Sequence, residues 1–120
     1  MKKCIYVVED NANIREIIEM LLTEEQYEVM ACPNEKEFWL LMKNHLPDMV
    51  VLDVKLPDGN GLEICEKLKY SSKTHDIPVL MMSANNYLHT VKSKCHADNF
   101  INKPFDINDF VERIEQHLPS

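Results

Sequence analysis

Short runs of apolar residues recur along the chain, and turn or polar residues follow each of them. Residues 4–8, 49–52 and 78–82 run with no polar alternation, which is typical of strands covered on both faces of a parallel sheet. Between these runs, apolar residues recur at the spacing of amphipathic helices. Strands that alternate with helices through right-handed crossovers predict a doubly wound α/β sheet with helices on both faces.

The pattern predicts five strands and five helices in alternation. The strands are residues 4–8, 27–31 (an edge strand, because its alternation is partial), 49–52, 78–82 and 100–101. The expected inner faces of the helices are Ile14, Ile17, Ile18, Leu21 and Leu22; Phe38, Leu41 and Met42; Ile64, Cys65 and Leu68; Leu88, Val91 and Cys95; and Ile107, Phe110, Val111, Ile114 and Leu118. Asn34, three residues before Glu37, and Asp106 are expected to cap helix starts.

Composition narrows the class of protein. The 120 residues, 45% hydrophobic and 28% charged, predict one domain over residues 1–120 with a single substantial core. A net charge of −7 without a basic patch argues against direct binding to nucleic acid. No apolar run reaches membrane length, so no membrane association is expected. The four cysteines form no CxxC pair, which predicts reduced, mostly buried thiols in a cytoplasmic protein.

Polar side chains follow four of the predicted strands where each strand ends. The pair Glu9 and Asp10 follows the first run, Asp53 follows the third, Ser83 the fourth and Lys103 the fifth. Each alone has an ordinary structural role, such as a turn acceptor or a helix N-terminal acid. Because parallel strands place their carboxyl ends along one edge of the sheet, these residues are expected to converge.

The converging residues predict a particular chemistry. Two or three carboxylates with neighbouring water suit Mg²⁺, which prefers oxygen ligands and retains several waters. An aspartate can carry a phosphoryl group covalently. The metal ion and Lys103 would both neutralise phosphoryl oxygens on Asp53, and the Ser83 hydroxyl would donate to one of them.

The motifs at these strand ends resemble one family. They are residues 8–11 (VEDN), Asp53 with Pro57 and Gly61 downstream, Ser83 with Ala84, and Phe100 with residues 103–105 (KPF). Nearly the whole chain resembles a receiver domain of a two-component response regulator, of the type found in single-domain chemotaxis and sporulation regulators. The resemblance implies a flavodoxin-like fold with a five-stranded parallel sheet in the order 2-1-3-4-5.

The resemblance also implies roles for the site residues. Asp53 would accept phosphate from a phosphohistidine on a sensor histidine kinase or a histidine phosphotransfer protein, so the domain is expected to be a phosphoacceptor switch in a phosphorelay and not an enzyme. Glu9, Asp10, Asp53 and the backbone carbonyl of Lys55 would hold Mg²⁺. Lys103 would pair with the phosphoryl group.

The same resemblance implies how the signal leaves the site. Ser83 would move to bond the phosphoryl group, and small Ala84 would leave the approach of the donor open. Phe100 would turn inward as the aromatic switch residue. The surface formed by the fourth helix, fifth strand and fifth helix would then change and act on a downstream protein or output domain. The Lys103–Pro104 bond is expected to be cis.

Two residues are expected to flank the path by which water would attack the phosphorus atom of the phosphorylated aspartate. Lys55 lies two residues after Asp53, and Asn85 lies two residues after Ser83. We expect Lys55 to shield the phosphoryl group and Asn85 to give little acceleration, so that the phosphoryl group is lost slowly. Glycines common in the family before the second and fifth strands are replaced by Gln26 and His96, which predicts differently shaped turns there.

Other functions remain open at this point. A phosphatase or phosphomutase with an aspartate nucleophile usually needs a second aspartate two residues later as acid and base. The chain has Lys55 at that position, which argues against this function. A degenerate receiver would act only as a protein-interaction module, against which the intact acidic pair, Asp53 and Lys103 all argue. A dinucleotide-binding domain is excluded because no GxGxxG motif follows the first strand.

Overall fold

A computed structural model of the protein describes residues 2–84 and 95–118. Its elements in chain order are β1 (Cys4–Val8), α1 (Ala12–Glu24), β2 (Glu28–Cys32), α2 (Glu35–Asn44), β3 (Met49–Asp53), β4 (Lys55–Leu56), β5 (Gly59–Asn60), α3 (Gly61–Tyr70), β6 (Val79–Ala84), β7 (Asn99–Lys103) and α4 (Ile107–His117). The predicted fourth helix falls mainly on residues 85–94, outside this description. Cys95, its last predicted position, lies buried in irregular chain.

Five strands form the central sheet in the order β2-β1-β3-β6-β7, and every pair in it is parallel. This order is the predicted 2-1-3-4-5 once the short β4 and β5 are set aside, because those two strands pair with each other. The strand β3 is buried along its whole length, as its unbroken apolar run predicts. The strand β2 lies at an edge, also as predicted.

The two faces of the sheet carry separate apolar layers. On one face, α2 and α3 contribute Phe38, Ile64, Cys65 and Leu68 to the core. On the other, α1 and α4 contribute Ile18, Leu22, Phe110 and Ile114. Helices on both sides of a parallel sheet confirm the doubly wound arrangement, and all four strand ends that matter for the site emerge along one edge.

The predicted helix starts are confirmed by their hydrogen bonds. The Asn34 side chain accepts from the amide of Glu37 at 2.9 Å, and the Asp106 side chain accepts from the amide of Asp109 at 3.0 Å. Each bond satisfies one amide that the first turn of a helix leaves without an internal partner.

Two residues predicted to be on inner helix faces are exposed. Ile17 on α1 is 49% exposed and Ile107 at the start of α4 is 53% exposed. The helical period identified apolar stripes wider than the sheet covers, because the separation of neighbouring helices decides how much of each stripe is packed. Both side chains line one apolar groove between α1 and the start of α4.

The turn before β2 corrects another expectation. Gln26 has a φ of 71°, which is the left-handed conformation that glycine usually takes at the end of a helix. The turn therefore keeps the left-handed shape without glycine, at a conformational cost of roughly 1–2 kcal/mol. The amide of Gln26 bonds the carbonyl of Thr23 at 3.0 Å, and the buried Tyr27 beside it helps to hold this conformation.

Of the helices in the described ranges, none combines the length and the apolar composition that crossing a bilayer requires. The four cysteines are free thiols and all are buried, as their spacing predicts.

Candidate functional site

The carboxylates predicted to converge lie together at the carboxyl edge of the sheet. Glu9 and Asp10 follow β1, and Asp53 ends β3. One oxygen from each of the three carboxylates can be chosen so that all lie within 4.8 Å of one another. Glu9 is fully buried and Asp53 is 6% exposed, whereas Asp10 is exposed. The strand register produces this cluster, because β1 and β3 are neighbours in the sheet.

Lys103 joins this cluster from the end of β7. Its Nζ lies 2.6 Å from Glu9 Oε1 and 2.9 Å from Asp53 Oδ2, so one ammonium group bridges two carboxylates. Burial opposes the charge on Lys103, but the hydrogen bonds to Glu9 and Asp53 outweigh it and leave the pKa of Lys103 above that of a free lysine. The bridge therefore keeps a positive charge beside the Asp53 oxygen.

Burial is the largest influence on the pKa of Glu9. Its pKa is raised above the ordinary value by burial, and the hydrogen bonds from Lys103 and from the Asn11 amide oppose that shift. Three carboxylates with one lysine leave the cluster two charges negative when all are ionised. A site with this surplus favours a cation at the exposed Asp10 side.

Arg15 supports the loop that carries Glu9 and Asp10, a role that the sequence pattern did not indicate. Its Nη1 donates to the carbonyl oxygen of Glu9 at 2.8 Å and to that of Asp10 at 3.4 Å. The Asn11 side chain accepts from the amide of Ile14 at 3.0 Å and so begins α1 directly after the acidic pair. The four-residue spacing of Asn11 and Arg15 was the available signal, because it places both on one side of the first helical turn.

The segment after Asp53 turns back on itself as a hairpin. The strands β4 and β5 pair Lys55 with Asn60 and Leu56 with Gly59. The Gly61 amide then donates to the Val54 carbonyl at 2.8 Å. This closure brings the start of α3 against the backbone of Asp53 and leaves Lys55 lining the cleft.

Gly61→Ala is expected to destabilise the protein by about 1–3 kcal/mol, as overpacking commonly does. A Cβ at this position would lie 2.1 Å from the carbonyl oxygen of Asp53, and that backbone atom cannot move away freely. Urea denaturation measures the change. Gly59→Ala is the matched control, because its Cβ would meet the flexible end of Glu35 at 1.9 Å. Equal stability losses in the two variants would contradict the backbone clash.

An open cleft of about 250 Å³ lies above the carboxylates. Its walls are Asp10, Asp53, Val54, Lys55, Ser83, Ala84 and Lys103. Six of the predicted site residues therefore share one cleft, with Glu9 bonded to Lys103 beneath them.

The predicted switch residues lie around this cleft but not all within it. Ser83 is buried and its hydroxyl donates to the carbonyl of Ala84 at 3.1 Å, while Ala84 is exposed. Phe100 is half-buried and packs on the face of the core that carries α2 and α3. The Lys103–Pro104 peptide bond is cis, as expected. The predicted role of Asn85 falls outside the described residues.

The donor set fits Mg²⁺. Oxygen is the only ligand element that the cluster offers, and two of its carboxylates are held by hydrogen bonds while Asp10 remains at the surface. Magnesium prefers such a site, with one or two carboxylates and the rest of its shell supplied by water.

Comparison with known proteins identifies the family. Residues 5–115 match the model of the response regulator receiver domain. The chain is 34% identical over 116 residues to the response regulator ArlR of Staphylococcus aureus, covering 95% of this chain and 52% of ArlR. It is 32% identical over 120 residues to the phosphate regulon transcriptional regulatory protein PhoB of Pseudomonas aeruginosa, covering 97% of this chain and 52% of PhoB. The chain thus spans about half the length of these curated relatives.

The structural comparison agrees. The signal receiver domain of a signal transduction histidine kinase from Syntrophus aciditrophicus superposes with a TM-score of 0.90 at 25% identity, covering 97% of this chain and 89% of that chain. A match to the family model over almost the entire sequence, together with this fold and the cluster at its sheet edge, shows that the chain belongs to the family of response regulator receiver domains.

Proposed function

We propose that residues 1–120 form one receiver domain in which Asp53 accepts a phosphoryl group from a phosphohistidine. The observation that carries the proposal is the bridge of Lys103 Nζ between Glu9 and Asp53 at the base of an open cleft. The P–N bond to the donor imidazole breaks, an O–P bond forms on Asp53, and the imidazole leaves with its electron pair. The protein is loaded once and then acts as a switch, not as an enzyme.

Each residue of the site has a separate role in this transfer. Asp53 is the nucleophile, and Lys103 is already 2.9 Å from one of its oxygens. The lysine is therefore placed to stabilise the negative charge on the phosphoryl oxygens during transfer. Glu9, Asp10, Asp53 and the Lys55 carbonyl would hold Mg²⁺. The ion, when bound, neutralises phosphoryl oxygens as the transfer proceeds. The cleft aligns the donor with Asp53.

An apolar groove beside the cleft is suited to the donor protein. It has a volume of about 240 Å³ and is lined by Ile14, Ile17, Lys103, Pro104, Phe105 and Ile107. Lys103 belongs to both the groove and the acidic cluster. A phosphohistidine donor that packs an apolar helix face over Ile17 and Ile107 would bring its imidazole toward Asp53. This role accounts for two large apolar side chains exposed at the surface.

The proposed response begins at Ser83. Its hydroxyl now bonds the Ala84 carbonyl and would exchange that partner for a phosphoryl oxygen. Phe100, directly before Ile101 in β7 and half-buried against the core, would then turn inward. The change is a population shift driven by contacts that only the phosphorylated state makes, and it would present a different surface to a downstream protein or output domain.

Wild-type protein is expected to gain the mass of one phosphoryl group when incubated with acetyl phosphate and Mg²⁺. Asp53→Ala should gain none, and removal of Mg²⁺ by a chelator should suppress the reaction of the wild type. Intact-mass spectrometry measures all three. Asp76→Ala, at a carboxylate that is 94% exposed, is the control and should label normally. Equal labelling of Asp53→Ala and wild type would refute the assignment, and no labelling of any protein would favour a pure interaction module.

The lifetime of the phosphoryl group tests the predicted role of Lys55. This residue is exposed and lines the cleft beside Asp53, where its side chain would obstruct in-line attack by water. Lys55→Ala and Lys55→Asn are therefore expected to lose the phosphoryl group several-fold faster than wild type. This corresponds to an activation free energy of hydrolysis that is lower by roughly 1 kcal/mol. The measurement is decay of phosphorylated protein in Mg²⁺ after the donor is removed. Decay at the wild-type rate in both variants would show that Lys55 does not shield the site.

A further inference from the structure

The hairpin that carries Lys55 is fastened at its tip to a helix on the neighbouring part of the sheet. Asp58, in the turn between β4 and β5, accepts two hydrogen bonds from the first turn of α2. The amide of Glu35 donates to Asp58 Oδ1 at 2.8 Å, and the amide of Lys36 donates to Oδ2 at 3.1 Å. A single carboxylate therefore joins two segments that lie more than twenty residues apart in sequence.

These two bonds complete the N-terminus of α2. The Asn34 side chain accepts from the Glu37 amide, so the first three amides of the helix all have side-chain acceptors. A carboxylate at this end of a helix also interacts favourably with the helix dipole. The hydrogen bond from the Glu35 amide lowers the pKa of Asp58 below that of an ordinary aspartate, so the carboxylate, which is already ionised at neutral pH, stays charged and bonded to lower pH.

The other end of the hairpin reaches the acidic cluster. Lys55 pairs with Asn60 across the two short strands. The Asn60 side chain accepts from the Leu62 amide at 2.7 Å and begins α3. Since β4 and β5 are only two residues each, a shift of the tip would be transmitted directly to the Lys55 backbone.

We propose that Asp58 is a positioning residue, which clamps the hairpin to α2 and so holds the Lys55 carbonyl where it can ligate the metal ion. The inference rests on the proposed function, because the Lys55 carbonyl is a Mg²⁺ ligand only if that function is correct. Asp58 itself touches neither the metal nor the phosphoryl group. Its effect on metal binding is that of an outer partner that orients a ligand.

The clamp also extends to the tryptophan. Trp39 Nε1 donates to Glu35 Oε2 at 2.8 Å, and Lys67 Nζ lies 3.9 Å from the same oxygen and 5.9 Å from the centre of the indole ring. Glu35 also packs against Gly59 in the hairpin. Trp39 therefore senses the hairpin through one intermediate residue, and its fluorescence is expected to change when metal binds.

The test compares two caps of the same helix. Asp58→Ala removes the clamp, whereas Asn34→Ala weakens the start of α2 and leaves the clamp in place. Mg²⁺ affinity is measured by titration calorimetry, the Trp39 emission is followed in parallel, and thermal unfolding is recorded without metal. Both variants should unfold at lower temperature than wild type. Only Asp58→Ala should bind Mg²⁺ about tenfold more weakly and lose the Trp39 response.

Asp58→Asn refines the comparison, because its amide retains one oxygen acceptor and loses the charge. Its affinity is expected to lie between those of wild type and Asp58→Ala. Wild-type affinity in Asp58→Ala, or an equal loss in Asn34→Ala, would overturn the clamp while leaving the proposed function intact. A wild-type protein that bound no Mg²⁺ would instead overturn both.

Discussion

Lys103→Met is expected to bind Mg²⁺ more tightly than wild type and yet to lose most of its phosphorylation rate. The ammonium group of Lys103 bridges Glu9 and Asp53, so it competes with a metal ion for the same negative charge. Removing it strengthens the attraction of the carboxylates for Mg²⁺. Methionine occupies similar space without the charge, so the opposite signs of the two effects separate electrostatics from packing.

The loss of rate follows from the position of the lysine. Its Nζ is 2.9 Å from the Asp53 oxygen, where it would stabilise charge that develops on the phosphoryl group. Loss of one such preorganised donor commonly lowers a rate by about 10²–10³-fold. The initial rate of labelling by acetyl phosphate at saturating Mg²⁺ measures it. Lys43→Met makes the same chemical change at an exposed residue in the last turn of α2 and should label at the wild-type rate.

The same variant is expected to be less stable without metal. Glu9 is fully buried, and breaking a buried ion pair by removing one partner costs about 3–5 kcal/mol. Mg²⁺ should recover part of this loss because it replaces the missing positive charge. Urea denaturation with and without Mg²⁺ provides the measurement. Unchanged labelling, or weaker binding of Mg²⁺, would contradict the assigned role of Lys103.

Asp10→Asn is expected to abolish stabilisation by Mg²⁺ while leaving the metal-free protein within about 0.5 kcal/mol of wild type. Asp10 is the exposed member of the cluster, and the lysine bridge involves Glu9 and Asp53. Its substitution therefore removes a metal ligand and leaves the bridge in place. Wild-type protein should gain about 2.7 kcal/mol when Mg²⁺ is present at a hundred times its dissociation constant.

Denaturation curves at several Mg²⁺ concentrations test this expectation. Asp76→Asn removes an exposed carboxylate and should retain the full stabilisation. A normal Mg²⁺ dependence in Asp10→Asn would show that the ion does not need Asp10, and the ligand set would have to be revised. A large loss of stability without metal would show that Asp10 supports the fold itself.

The pattern of apolar residues was sufficient to predict the architecture, because a strand that is buried on both faces of a sheet appears in the sequence as an unbroken apolar run. The unbroken run in β3 identified the centre of the sheet, and the ends of the apolar runs located Asp53, Ser83 and Lys103. Parallel pairing then required these ends to meet at one edge. Asn34 and Asp106 were found as caps because capping depends on residues close in sequence.

Contacts between distant segments were beyond the same reasoning. Whether Ile17 and Ile107 are covered depends on the separation of α1 and α4, and the structure leaves both exposed around a groove. The left-handed Gln26 shows that the surrounding turn can impose a conformation against the preference of its residue.

The sequence by itself determined the fold class, the order of the five strands in the central sheet and the list of residues that could form an acidic site. Only the tertiary structure decided that Lys103 bridges Glu9 to Asp53 and that Asp58 fastens the hairpin to α2. Periodicity and capping reflect neighbours within a few residues, whereas these contacts join side chains brought together by the packing of separate elements.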